Sequence, residues 1–367
     1  MGIDTVFLPC YTIGEGCYSR IAHETRFYGK KAVVIGGKTA MAKAKEKLLK
    51  GIEGTDVTIT DFIWYGGNAT YENGDALIAD PRVQEADMLF AVGGGRAVDT
   101  VKYVADKLDK PLFDFPTVAS NCAAVSSISV MYHQDGTLAN YYFPKMANHT
   151  FIESSVILDS PRDLFWAGIG DTLAKEAEVT FCAADAQLSH TPLMGVTMSQ
   201  ICTEPLLVHG KQALEDQKNG KITEAFEEAV LDIIVSTGIV SNLTTKLPEY
   251  YYNSCLAHAF YNGTTVTKGG EKHLHGEIVS FGALMQLMYA GKKERLEKVA
   301  KFNLSVGLPV CLEDIEITPD DLDAIADRAM TTTEWKFRPK NKGITRESFI
   351  QLMKDMDAYG KELKAEA

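Results

Sequence analysis

Along the first 160 residues, short apolar blocks closed by glycine or turn residues alternate with stretches whose apolar positions recur every three or four places. The blocks at 31–37, 57–65, 88–92 and 111–117 predict strands, the second of them rich in β-branched and aromatic residues. Segments 39–50 and 73–86 have helical spacing, with Asn73 as a candidate cap for the latter. Such alternation predicts a parallel sheet covered on both faces. After Thr117 the pattern changes. Residues 127–132 alternate as a strand, Gln134-Asp135-Gly136 signals a hairpin turn, 138–143 reads as the return arm and 151–158 as one more strand. From Pro161 onward strand signals nearly vanish. Segments 171–187, 193–211, 221–243, 248–263, 275–290, 293–304, 319–331 and 346–363 carry helical periodicity with polar faces. The expected architecture is an α/β domain over residues 1–160 and an all-α domain over 161–367.

The block at 88–92 runs into Gly93-Gly94-Gly95 and then a helical pattern with Val98, Val101 and Val104 on one face. Three glycines let the backbone approach a ligand, and the first N–H groups of the following helix point at an anion. A pyrophosphate fits such a turn. The order is Gly-Gly-Gly-x-x-x-Asp rather than Gly-x-Gly-x-x-Gly, so the ordinary dinucleotide fingerprint does not apply as written. A glycine turn that binds nothing is the plain alternative.

Composition removes several classes. Hydrophobic residues make up 46% and charged residues 23%, as in an ordinary globular protein. A net charge of -12 and the absence of any Lys/Arg stripe argue against nucleic acid as a partner. No apolar run reaches the roughly 18 residues that a membrane crossing needs, and the N-terminus lacks a basic region followed by an apolar core. The 7 cysteines, at 10, 17, 122, 182, 202, 255 and 311, are scattered without a Cys-x-x-Cys pair. Reduced thiols and a cytoplasmic location are the expectation.

Three polar clusters interrupt the helical half: Gly168-Ile-Gly-Asp171, Ala257-His258 and His273-Leu-His275-Gly276-Glu277. Singly, Asp171 reads as a helix cap at a helix start, His258 as a hydrogen-bonded core histidine, and His275 as a loop histidine. Together, a carboxylate and two imidazoles without a thiolate form a ligand set for Zn²⁺ or Fe²⁺ that leaves a coordination position open. Spacing alone does not bring them together.

The motifs Gly93-Gly-Gly-x-x-x-Asp99-x-x-Lys102, Pro116-Thr117-x-Ala119-Ser120, Ser129-Val130-x-Tyr132, Ala167-Gly-Ile-Gly-Asp171, Ala257-His258-x-x-x-Asn262-Gly263 and His275-Gly-Glu-x-Val279-x-Phe281-Gly282 occur in this order. Through them the chain resembles the metal-dependent glycerol dehydrogenases within the iron-containing alcohol dehydrogenase superfamily. Within that group, Asn121-Cys122-Ala123-Ala124 and 168–175 look more like the hydroxycarboxylate dehydrogenase branch. The resemblance implies a Rossmann-like N-terminal domain and an all-α C-terminal domain, the dehydroquinate synthase-like fold, with NAD or NADP and one divalent metal held in a cleft. It implies Asp171, His258 and His275 as metal ligands, with His273 as a bystander. The turn at Gly93, Gly94 and Gly95 would take the pyrophosphate. Thr117, Ser120, Ser126, Ile128, Val130 and Tyr132 would line the nucleotide, and Asp99 would lie toward the nicotinamide. A homo-oligomer is implied by the family alone.

Three departures shape the expectation. In glycerol dehydrogenases the segment after Ala119-Ser120 reads Thr-Asp-Ala-Pro, and the aspartate helps to hold the polyol. Asn121 and Cys122 stand there in this chain. Losing a carboxylate beside the substrate removes repulsion against an anion, which favours a 2-oxo or 2-hydroxy acid over glycerol; a drifted loop with unchanged substrate breadth is the plain alternative. Four residues after Asp171, where iron-type enzymes carry a further histidine, stands Lys175, so three ligands plus water fit zinc better than iron. NAD-specific sites place an acid after the second strand to hold the ribose. Gly37 and Lys38 stand there in this chain, which points to tolerance for the 2′-phosphate of NADP, with Lys38 as an ordinary surface charge the equal alternative. The expected function is hydride transfer between a nicotinamide and a small alcohol, a 2-hydroxy acid and 2-oxo acid pair first. Glycerol and a dehydroquinate synthase-like cyclisation are the alternatives.

Overall fold

The computed structural model describes residues 5–339 and 343–366. Strands β1 (Tyr11–Ile13), β2 (Lys31–Gly36), β3 (Thr58–Trp64), β4 (Met88–Gly93) and β5 (Leu112–Pro116) precede a hairpin of β6 (Ser129–Tyr132) and β7 (Leu138–Tyr142), and β8 (His149–Ile152) follows it. Six of them form one parallel sheet in the order β1-β8-β5-β4-β2-β3. Phe90, Val92, Phe113 and Phe115 join Tyr18, Met41 and Leu48 on one face. Leu89, Ala91 and Leu112 join Leu77, Val98, Val101 and Val104 on the other. Burial on both faces is why these strands read as unbroken apolar runs.

The connections create the functional edge. From β2 the chain steps outward to β3, whereas from β4 it steps the opposite way to β5. The carboxyl ends of β2 and β4 therefore flank a topological switch point, where open α/β sheets hold their ligands.

Two elements differ from the sequence expectation. The helix expected over 73–86 is two helices, Tyr71–Ile78 and Pro81–Glu85. Thr70 caps the first by accepting the Asn73 N–H, and Asn73 instead donates its amide to the Asn68 carbonyl at 2.8 Å. Asp80 caps the second, and Pro81, lacking an N–H, starts a helix rather than continuing one. The strand expected over 151–158 begins earlier and ends at Ile152, with a helix over Ser154–Leu158. Its polar start is accommodated by hydrogen bonds, His149 to Thr12 at 2.8 Å and Thr150 to the Ala124 carbonyl at 2.7 Å.

The chain forms two compact units, Met1–Arg162 with Asp216–Asn242, and Asp163–Glu215 with Leu243–Ala367. Helical periodicity identifies a helix but not the body it joins, and 216–242 belongs with the sheet. There Gly238 lies so near Val125 that a Cβ would stand 2.2 Å from its Cγ2. Asn242 accepts the Ser127 N–H at 2.8 Å and donates to the Val125 carbonyl at 3.0 Å. The second unit is helical apart from the two-residue strands Thr245–Lys246 and Tyr250–Tyr251. Among the described residues no helix is long and apolar enough to cross a membrane.

Candidate functional site

Three helices of the second unit carry the candidate ligands: Arg162–Ala183 holds Asp171, Leu256–Thr264 holds His258, and His275–Tyr289 opens with His275. Asp171 is therefore not a cap at a helix start. It lies in mid-helix, because the helical pattern runs back through Gly168 and Gly170 despite the cost of about 1 kcal/mol for each glycine. Those glycines have another use. A Cβ on Gly170 would stand 2.5 Å from the Gly276 carbonyl oxygen, and one on Gly276 would stand 1.9 Å from that of Ala167. A Cβ on Gly282 would come within 2.7 Å of the Ala257 Cα. Glycine thus lets the three helices touch backbone to backbone beside the candidate ligands.

That contact gathers one atom from each residue. Asp171 Oδ1 lies 3.4 Å from His258 Nε2 and 3.2 Å from His275 Nε2. All three ligand atoms fall within 4.8 Å of one another. Neighbouring ligands of a tetrahedral ion with bonds near 2.0–2.1 Å stand about 3.3 Å apart, so the spacing fits a divalent cation. Asp171 Oδ1 is buried and takes no hydrogen bond of ordinary geometry, as expected of an atom arranged to hold an ion. The side chain of His275 is 41% exposed against 17% for His258 and 11% for Asp171, which leaves access on the His275 side. That ring packs perpendicular to Tyr261, whose centroid lies 4.2 Å away.

Electrostatics agree with the donor set. Burial alone would raise the Asp171 pKa, but the imidazoles of His275 and His258 hold it well below the usual carboxylate range. Burial alone would lower the His258 pKa, yet the carboxylates of Glu178 and Asp171 push it up to about 10. A cation in this position would displace a proton from that ring.

Two neighbours clarify the sequence expectations. Lys175 is turned onto Asn253, donating to its carbonyl at 2.9 Å and its side-chain oxygen at 2.7 Å. His273 pairs with Glu277 at 2.9 Å and faces Glu316 at 3.7 Å, outside the cluster. A third neighbour was missed. Glu178, fully buried, meets His258 Nδ1 at 2.7 Å. Its signal was a second acid two turns after Asp171, on the same helix face and one turn after Lys175.

In the first unit, Gly37, Gly93, Gly94, Gly95, Thr117 and Asn121 collect at the carboxyl ends of β2, β4 and β5. The Gly37 N–H reaches the Val92 carbonyl at 3.3 Å and the Thr117 N–H that of Gly93 at 3.2 Å. A Cβ on Gly95 would meet the Asn121 amide at 2.9 Å. Gly94 precedes the helix Gly95–Leu108, whose first N–H groups take no side-chain cap. Asn121 is near Ser120 and accepts the Ala123 N–H at 3.0 Å, while the Cys122 carbonyl accepts those of Val125 and Ser126. Lys38 opens the helix after β2, which has no acid in its first turn, and its ammonium sits 4.3 Å over the Trp64 ring. Tyr132 lies beneath Arg96 at 5.3 Å.

Buried Asp99 and Ser126, with half-buried Ile128 and Val130, form a separate group around buried Lys102. The ammonium meets Asp99 at 3.0 Å and donates to the carbonyls of Ala123, Ser126 and Ile128. Asp99 also accepts the Val130 N–H at 3.1 Å. Burial outweighs the Lys102 charge and raises the Asp99 pKa. Lys102 thus anchors the segment that follows Asn121 and Cys122, a role that its place in a motif did not reveal.

Residues 9–157 match the sequence profile of the family described as iron-containing alcohol dehydrogenase. Hydroxycarboxylate dehydrogenase A of Escherichia coli (strain K12) is 33% identical over 291 residues, 78% of either chain. The protein belongs to the iron-containing alcohol dehydrogenase family. Within it, the glycerol dehydrogenase of Thermotoga maritima is 29% identical over 370 residues, covering 98% of both chains. The crystal structure of glycerol dehydrogenase from Schizosaccharomyces pombe superposes with a TM-score of 0.84 at 25% identity, over 100% of this chain and 93% of that one. The fold class is that of this family, a parallel-sheet α/β part followed by a helical part, and the protein is an oxidoreductase of the alcohol dehydrogenase class.

Proposed function

We propose that this protein is a metal-dependent, nicotinamide-linked oxidoreductase that interconverts small 2-hydroxy acids and 2-oxo acids. The observation that carries the reading is the cluster of Asp171, His258 and His275, with ligand atoms within 4.8 Å of one another and one accessible side. A divalent cation held by these three residues supplies Lewis acidity toward the substrate oxygen. Zinc suits the set better than iron, because Lys175 is engaged by Asn253 and offers no fourth ligand. The engagement of Lys175 also argues against the cyclase alternative, which needs cations free to hold a phosphate.

The chain's own groups divide the remaining work. Asp171 supplies negative charge, and His258 and His275 supply imidazole nitrogen donors. The switch-point glycines and the uncapped helix start after Gly94 suit the pyrophosphate of NAD or NADP. Lys38, with no acid beside it, supports acceptance of the 2′-phosphate.

For the substrate, Asn121 and Cys122 place no carboxylate where the polyol-binding aspartate stands in glycerol dehydrogenases. The relative named hydroxycarboxylate dehydrogenase A supports the acid. Glycerol is the second reading, supported by the relatives from Thermotoga maritima and Schizosaccharomyces pombe. A panel of 2-oxobutanoate, 2-oxoglutarate, dihydroxyacetone and glycerol, followed by nicotinamide absorbance with both nucleotides, separates them. Turnover of the 2-oxo acids is expected. Turnover of dihydroxyacetone with none of the 2-oxo acids would replace this substrate with glycerol.

A further inference from the structure

We infer that Glu178 is the positioning residue of the metal centre, fixing which nitrogen of His258 is left to bind the cation. The inference rests on the metal reading above and adds a residue to it. Glu178 is completely buried, on the helix that carries Asp171. Its Oε1 accepts the backbone N–H groups of Cys255 at 2.7 Å and His258 at 3.0 Å, while Oε2 lies 2.7 Å from His258 Nδ1. An ionised carboxylate only accepts, so Nδ1 must carry the hydrogen. Nε2, the atom 3.4 Å from Asp171 Oδ1, is then the nitrogen whose lone pair a cation can take.

The same carboxylate settles the helix that bears the ring. Leu256–Thr264 has no capping side chain of its own. Its first N–H groups go instead to Glu178 and, at Leu256, to Gln286 Oε1 at 3.1 Å. Gln286 lies on the His275 helix. The His258 helix is therefore capped from the helices of the other two candidate ligands. The ring cannot turn without breaking a bond to a group that also holds its backbone.

Glutamine is the discriminating replacement, since it keeps the shape of Glu178 and offers one acceptor and one donor. With its oxygen toward Cys255 and His258, its amide nitrogen faces Nδ1 and imposes a hydrogen on Nε2. With the opposite orientation, two backbone N–H groups meet an NH₂. Either arrangement weakens the site. The test strips the full chain of metal and titrates it with zinc alone, in competition with a chromophoric chelator. Glu178→Gln is expected to bind zinc about 10–100-fold more weakly than wild type. Gln286→Met, which removes a cap without touching the ring, is expected to stay within about threefold if capping as such is not the cause. In ¹⁵N-histidine spectra of zinc-loaded wild type, His258 should show an exchange-protected Nδ1–H, and this signal requires no variant to fold.

A Glu178→Gln protein that binds zinc as tightly as wild type, a Gln286→Met protein weakened as much as Glu178→Gln, or the absence of that protected proton would overturn the assignment. Wild type that binds neither zinc nor ferrous ion would overturn the metal reading itself, which is a different result.

Discussion

Gly276 lies so close to the carbonyl oxygen of Ala167 that a Cβ there would stand 1.9 Å away, nearer than any side chain is tolerated. The obstacle is backbone, so the two helices bearing Asp171 and His275 must separate to admit it. Gly276→Ala is expected to destabilise the metal-free protein by about 1–3 kcal/mol and to weaken zinc binding at least tenfold. Calorimetric unfolding and a zinc titration read both. An unchanged transition with unchanged affinity would show that the close approach does not set the site.

His275 can be removed more cleanly than His258. Its side chain is 41% exposed, whereas His258 neutralises the buried carboxylate of Glu178. His275→Ala is expected to lose metal and turnover while destabilising the metal-free protein less than His258→Ala does, because Asp171 keeps His258 as a partner. His258→Ala leaves Glu178 buried without its partner and should be destabilised by about 3–5 kcal/mol. In both variants NADPH fluorescence should still report nucleotide binding. Retention of turnover by metal-free wild type would remove the basis of the mechanism.

Nucleotide preference should respond to Lys38. The Lys38→Asp replacement exchanges an ammonium over Trp64 for the acid that NAD-specific sites carry after the corresponding strand. The kcat/KM for NADPH is expected to fall at least tenfold, with that for NADH equal or higher. Parallel losses for both nucleotides would assign Lys38 a structural part only.

Asp232 makes stability depend on pH. Burial in the π-helical segment Asp232–Ser236 raises its pKa to about 7, although Ser236 bonds one oxygen. The folded state then holds a proton that the unfolded state gives up near pH 4. Stability from this group is complete at low pH, falls as pH rises toward 7 and is flat above that. The span is at most on the order of 4 kcal/mol. Asp232→Asn should abolish that slope and raise the unfolding temperature at pH 8. A variant that follows the wild-type pH curve between 5 and 8 would refute this.

The sheet was legible because central strands buried on both faces are uninterrupted apolar runs, and β4 ends at glycines that the switch point needs. The break at Asp80-Pro81 was written in the chain as a cap followed by a proline, but apolar spacing on either side masked it. His149 and Thr150 were not legible as strand, since hydrogen bonds to distant partners pay their burial. Asp171, His258 and His275 stood out by residue type alone. Their approach depends on Gly170, Gly276 and Gly282, whose partners lie elsewhere in the chain and leave no periodic trace. Glu178 belongs to the same class, a residue whose meaning comes from a ring 80 positions away.

The return of 216–242 to the first unit bears on how the protein is born. Asn242 grips Ser127 and Val125, and Gly238 seats against Val125, so the segment after Cys122 lacks part of its support until translation has passed residue 242. A ribosome-bound chain that has emerged only to Arg162 carries the complete sheet but not this brace. The first unit therefore gains this brace only after the Asp171 helix has been synthesised.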